Sequence, residues 1–160
     1  MAIKLNIENT HAVVFPSKLV AGNGGEHIVN LTLKADCDNG VIRSIGKWKA
    51  FDEYEEAAAP AGFEGIIREK GTGTDNSWYV EVVTPADAVL VDEVEEFTNT
   101  YDARFTDLHN WYNPAGATVR AYVLHKYDIF ELSVEGFDGT PVAGKSVTAD
   151  ASTGKLVVGA

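Results

Sequence analysis

The chain has 160 residues, of which 45% are apolar and 10% aromatic, enough to fill a core and too many for a disordered tail. Its formal net charge of −11 repels nucleic-acid phosphate and anionic membrane, so partners of those two kinds are not expected. The single cysteine, Cys37, excludes an intramolecular disulfide and a thiolate zinc site, and it suits a reducing cytoplasm or a particle assembled there.

The opening residues Met1 to Glu8 lack a basic stretch followed by an apolar run, so no signal peptide is expected there. No apolar run approaches the ~20 residues that span a bilayer, and a soluble protein is expected. The first periodic segment is His27 to Lys34. Val29, Leu31 and Leu33 face one way and Asn30, Thr32 and Lys34 the other, which predicts a half-buried strand. Asn39-Gly40 suits a tight turn with positive φ, and Val41 to Trp48 then reads as the returning strand of a hairpin. Arg43, Lys47 and Lys49 form the only basic concentration. Asp52, Glu53, Glu55 and Glu56 follow at once, so the group reads as strand-surface charge.

Ala50 to Ala59 is acidic and rich in alanine, and it suits a helical turn or a solvated loop. Phe63 to Arg68 and Trp78 to Val83 read as strands, joined by a loop over Gly71 to Asn76. Asp87 to Tyr101 carries Leu90, Val94, Phe97 and Tyr101 at helical spacing. Its Ala-Val-Leu-Val start suits a strand, and strand followed by loop is the preferred reading. Thr118 to Leu124 and Asp128 to Val134 are further strands, and Asp138-Gly139 is a turn signal. Lys145 to Thr148 and Lys155 to Val158 close the chain as short strands around a Ser152-Thr153-Gly154 turn. No repeat of fixed period and no low-complexity linker interrupts this pattern. The expected fold class is mainly β: an antiparallel sandwich or barrel-like domain with long loops and little helix. One domain over 1–160 is expected, with 50–60 as the place where a subdivision would fall.

The motifs of common chemistry fail at identifiable residues. His11, His27, His109 and His125 show no ligand pair at helical spacing. Asp36 to Gly40 resembles the start of a calcium loop, but the glycine comes one position early and Lys47 replaces the closing carboxylate. Gly22 to Gly25 lacks the lysine that would reach a phosphate, and Gly71 to Thr74 is followed by Asp75, whose charge repels one. The acidic runs Glu53 to Glu56 and Asp92 to Glu96 read as solvated faces rather than a glycosidase pair. There is no Gly-x-Ser-x-Gly elbow, and Cys37 has no activating context. The expectation is therefore a protein that is not an enzyme, with no catalytic residue, cofactor or metal.

Aromatic pairs offer a different signal. In a strand the neighbours Trp78 and Tyr79 point to opposite faces, which leaves one of them available at the surface. Trp111 and Tyr112 precede Asn113 to Gly116, which reads as a loop. Trp78, Tyr79, Trp111 and Tyr112 are thus the candidate interaction surface, suited to protein contact or sugar stacking when exposed and to core filling when not.

The pattern Asp38 to Val41 after an alternating strand resembles small tailed-phage head proteins. So does Asn113 to Gly116 leading into Arg120 to Phe130. Together these segments are similar to capsid decoration or auxiliary head proteins of phages of Gram-positive bacteria. The resemblance touches roughly half of the chain and brings no motif residues that mark a site. It implies a structural virion protein, soluble in the host cytoplasm before assembly and then bound to the outer surface of a capsid. Its partner would be the major capsid protein, and a homo-oligomer is compatible with that role. The alternatives from the residues themselves are a carbohydrate-binding or adhesion module, or another phage structural subunit of tail or baseplate.

Overall fold

Alternation of apolar and polar residues builds several of the strands of this chain. The computed structural model describes residues 3–23, 27–73, 76–94 and 101–160. The strands in chain order are β1 (Lys4–Leu5), β2 (Val14–Lys18), β3 (Ile28–Thr32), β4 (Ile42–Ala50), β5 (Glu53–Ala57), β6 (Glu64–Lys70) and β7 (Ser77–Thr84). They continue as β8 (Ala88–Val91), β9 (Trp111–Tyr112), β10 (Thr118–Val123), β11 (Ile129–Ser133), β12 (Phe137–Asp138), β13 (Ser146–Ala149) and β14 (Leu156–Val158). Ala103–Thr106 forms a single turn of α-helix. The fold is mainly β with little helix, as the periodicity predicts.

Five strands close into a barrel in the order β10-β3-β5-β4-β8. Seven form an open sheet in the order β12-β14-β13-β6-β7-β11-β2, and β1 pairs with β9 as a small separate ribbon. The barrel is filled by Val29, Leu31, Leu33, Cys37, Val41, Tyr54, Val89, Val91, Val119 and Ala121. A second core lies between barrel and sheet. Ile42, Ala88, Leu90 and Tyr122 come from barrel strands, and Ile67, Val80, Val82, Phe130, Leu132, Val147 and Leu156 from the sheet. This explains β8. Successive side chains of a strand alternate in direction, so Val89 and Val91 enter the barrel while Ala88 and Leu90 meet the sheet. All four are buried, which is why the sequence shows an unbroken apolar run there. Each large aliphatic side chain so placed contributes roughly 1.5–3 kcal/mol.

Two expectations are corrected. β3 and β4 do not form a hairpin: β5 lies between them, parallel to β3 (Leu31↔Tyr54) and antiparallel to β4 (Ile45↔Glu56). Gly40 does adopt positive φ, at +90°. However, the connection from 33 to 41 is too long for a two-residue turn, and it is tied instead to the segment before β10 through paired Cys37 and Asn113. Ala50 to Ala59 is neither helix nor loop, because β5 occupies Glu53–Ala57 within it. Its carboxylates hid the strand. Tyr54 and Glu56 point inward and Glu53 and Glu55 outward, so the alternation exists but one inward residue is charged.

The segment expected as strand then loop begins as β8 and leaves the sheet at Asp92; residues 95–100 lie outside the described residues. So do parts of the glycine-rich stretches, at 24–26 and 74–75.

Candidate interaction surface

The predicted aromatic residues are taken up largely by the fold. Trp111 lies in β9. It is 6% exposed, and its indole N–H donates to the Phe105 carbonyl at 3.2 Å. Its burial removes it as an exposed contact. Tyr112 is half-buried, with its ring stacked on His11 at 5.3 Å between centroids. Trp78 is half-buried against the core between the two layers. Tyr79, on the opposite face of β7, lines a cleft of about 260 Å³ with Ser17, Lys18, Arg68, Glu69 and Ile129. The two adjacent pairs are therefore not brought together into one surface.

Exposed aromatic area lies instead at Tyr101, at Tyr127 and on the ribbon of β4 and β5. Beyond Ser44, β4 has left its partner β8, whose pairing covers only Ile42 to Ser44. The rest of β4 is held by β5 alone, with register shifts between Ile45 and Trp48 and again before Ala50. Each shift adds an unpaired residue that bends the strand and increases its twist. Gly46 sits at the first shift, where a Cβ would stand 2.6 Å from the Glu55 carbonyl oxygen, so the close approach of the two strands needs glycine. Out on this ribbon Trp48 is 61% exposed and Phe51 is 93% exposed. Ile45 is also exposed, between the barrel and Trp48. Lys49 bonds Glu53 at 3.0 Å, while Lys47 makes no ion pair among the described residues. The sequence signal was present as Trp48 between Lys47 and Lys49, with Phe51 two residues beyond. It was not legible because β4 could not be seen to outrun its neighbour.

At its base the ribbon is anchored by a buried ion pair. Arg43 of β4 and Glu56 of β5 meet at 3.0 Å, with side chains 6% and 7% exposed. Glu56 also accepts the Lys34 N–H at 2.6 Å, and Arg43 donates to the Ser152 carbonyl at 3.1 Å. Both charges are thus engaged, as burial requires. Arg43 is therefore not the solvated strand-surface charge that its neighbours Lys47 and Lys49 are. A cleft of about 240 Å³ opens beside the pair, between Lys34, Ala57 and Ala151.

Other polar groups serve as clasps. Asp38 accepts the Ala12 N–H at 2.9 Å and meets His11 at 2.6 Å, while Asp36 accepts the Ala115 N–H at 2.8 Å. Asn39 exchanges two hydrogen bonds with the Glu93 backbone, each at 3.0 Å, and accepts one from the Asn113 side chain at 2.8 Å. Burial pushes the Cys37 thiol up to about 12, which removes its nucleophilicity at neutral pH. His27 and His125 meet edge to face at 4.8 Å, a contact between residues far apart in sequence. No group of three or more His, Cys, Asp or Glu stands in metal-binding arrangement among the described residues. Compared with models of protein families, with curated proteins and with solved structures, the chain matches none.

Proposed function

We propose that this chain is a non-enzymatic structural subunit that binds the outer surface of a phage capsid and stabilises it. The observation that carries the reading is the projecting β4–β5 ribbon, with Trp48 and Phe51 exposed on a doubly packed β scaffold. A shell-binding subunit needs an adhesive patch on a rigid body, and aromatic anchors contribute most to such contacts. The sequence resemblance to decoration proteins supports the same reading. The charge of −11 keeps free subunits apart before assembly and leaves nucleic acid an unsuitable partner. Repetition over a lattice turns a weak single contact into lasting attachment when subunits are linked.

The test is co-sedimentation with assembled heads, together with the heat resistance of the heads. The wild-type chain is expected to co-sediment and to raise the temperature at which heads open. Trp48→Ala combined with Phe51→Ser is expected to weaken binding at least tenfold while leaving the fold's melting unchanged. Failure to bind every form of the shell sinks the proposal.

A carbohydrate-binding reading is favoured by one observation, the cleft where Tyr79 stands among Lys18, Arg68 and Glu69. An aromatic face beside hydrogen-bonding groups suits a sugar ring. Glycan binding lost in Tyr79→Ala, with shell binding absent, would select it.

A further inference from the structure

Among the described residues, β4 between Ile45 and Ala50 has a partner strand on one side only. β5 holds one edge, and the other has no strand beside it among the described residues once β8 ends opposite Ser44. An unpaired edge carrying exposed apolar side chains is a template for another extended chain. This one carries Ile45, Trp48 and Phe51 as apolar contacts and Lys47 as a cation without an ion pair among the described residues.

The charges decide which chain fits. Antiparallel pairing of two copies centred on Trp48 would set Lys47 opposite Lys49, and pairing centred on Lys47 would set it opposite itself. Like charges directly opposed destabilise a strand pair. The two register shifts also bend the edge away from a flat self-pairing surface. An extended segment with carboxylates at the positions facing Lys47 and Lys49, and apolar residues beside Trp48, replaces that like-charge opposition with attraction.

We propose that the free edge of β4, Ile45 to Ala50, is a strand-addition site for an extended acidic segment of a different protein. Joined to the function proposed above, on which this last step rests, that segment belongs to the shell subunit. Main-chain hydrogen bonds would supply attachment, with Lys47 selecting acidic over basic segments and Trp48 covering the new pair.

Hydrogen exchange on the full chain tests this, read at the amides of 45–50. The probes are an extended peptide of alternating Val and Glu, its Val and Lys counterpart, and assembled shells. The amides not directed at β5 are expected to exchange freely in the protein alone. They are expected to slow at least tenfold with the Val–Glu peptide and with shells, and to stay unchanged with the Val–Lys peptide. Lys47→Glu should reverse the preference between the peptides. Protection by neither the acidic peptide nor the shells overturns the proposal, as does protection that grows with protein concentration alone. Shells that bind while these amides remain open also overturn it, yet leave the decoration reading intact. Protection by the acidic peptide in a chain that ignores shells keeps the edge site and removes the decoration reading.

Discussion

Removing either member of the Arg43–Glu56 pair is expected to destabilise the fold far more than removing both. Each side chain is at least nine-tenths buried and the charges stand 3.0 Å apart. Glu56→Ala leaves the Arg43 guanidinium with the Ser152 carbonyl alone and also strips the Lys34 N–H of its acceptor. Arg43→Ala leaves a buried carboxylate with one N–H. Breaking such a pair costs about 3–5 kcal/mol, because an uncompensated charge stays in a poor solvent. Replacing both by Arg43→Met with Glu56→Leu keeps the volume and removes both charges. Its cost should be about 1–2 kcal/mol, mostly from the orphaned Lys34 N–H. At roughly 2–4 °C per kcal/mol for a chain of this size, the single variants should melt about 10 °C lower and the double variant only a few degrees lower. Urea unfolding of the four proteins gives the coupling energy directly. Single variants that each lose less than about 1 kcal/mol would refute the reasoning, since the pair would then be hydrated in solution. A double variant as unstable as the two singles added together would refute it equally.

Three further outcomes are expected. Cys37 should resist a thiol reagent at pH 8 in the native protein and react at once in urea. Burial raises it to about 12 against an ordinary 9.0, so the folded chain keeps a proton that the unfolded chain releases, and this contribution to stability is lost as pH rises between those values. Asp150→Ala should lower the urea midpoint at pH 7. The Thr153 N–H and the Ser152 hydroxyl hold this carboxyl near 2 rather than 3.8, so its contribution is present above pH 4 and lost as pH falls through 2, where variant and wild type should converge. Gly154→Ala should cost about 2 kcal/mol or more in the same assay. Gly154 has φ of +75°, and a Cβ there would stand 2.5 Å from the Ile42 carbonyl oxygen.

The faces of strands were legible in the sequence, but their neighbours were not. Alternation at Val29, Leu31 and Leu33 correctly marks the side of β3 that fills the barrel. The strands β6, β7, β10 and β11 stand close to where β-branched and aromatic runs place them. Nothing in those residues says that β5 enters between β3 and β4, because pairing depends on partners distant in the chain. β2 escaped notice because it is a sheet edge containing Pro16 and exposed Ser17 and Lys18, with little apolar alternation. Adjacency in pairs marked Trp78, Tyr79, Trp111 and Tyr112 as candidate contact residues, yet whether an aromatic is exposed depends on what packs over it. Trp111 is buried and bonds the Phe105 carbonyl, while Trp48 stands on a strand that outruns its neighbour.

The alternation of the chain between barrel and sheet has a consequence for its synthesis. β2 joins the sheet through β11, and the Val13 N–H donates to the Ser133 hydroxyl 120 residues further on. The barrel cannot close until β10 arrives between β3 and β8. A chain emerging from the ribosome at about 5–20 residues per second therefore holds its first strands unpartnered for several seconds. During that interval its protection against misassociation lies in the sequence itself: proline and lysine in β2, alternating lysines in β4, and acidic residues along β5.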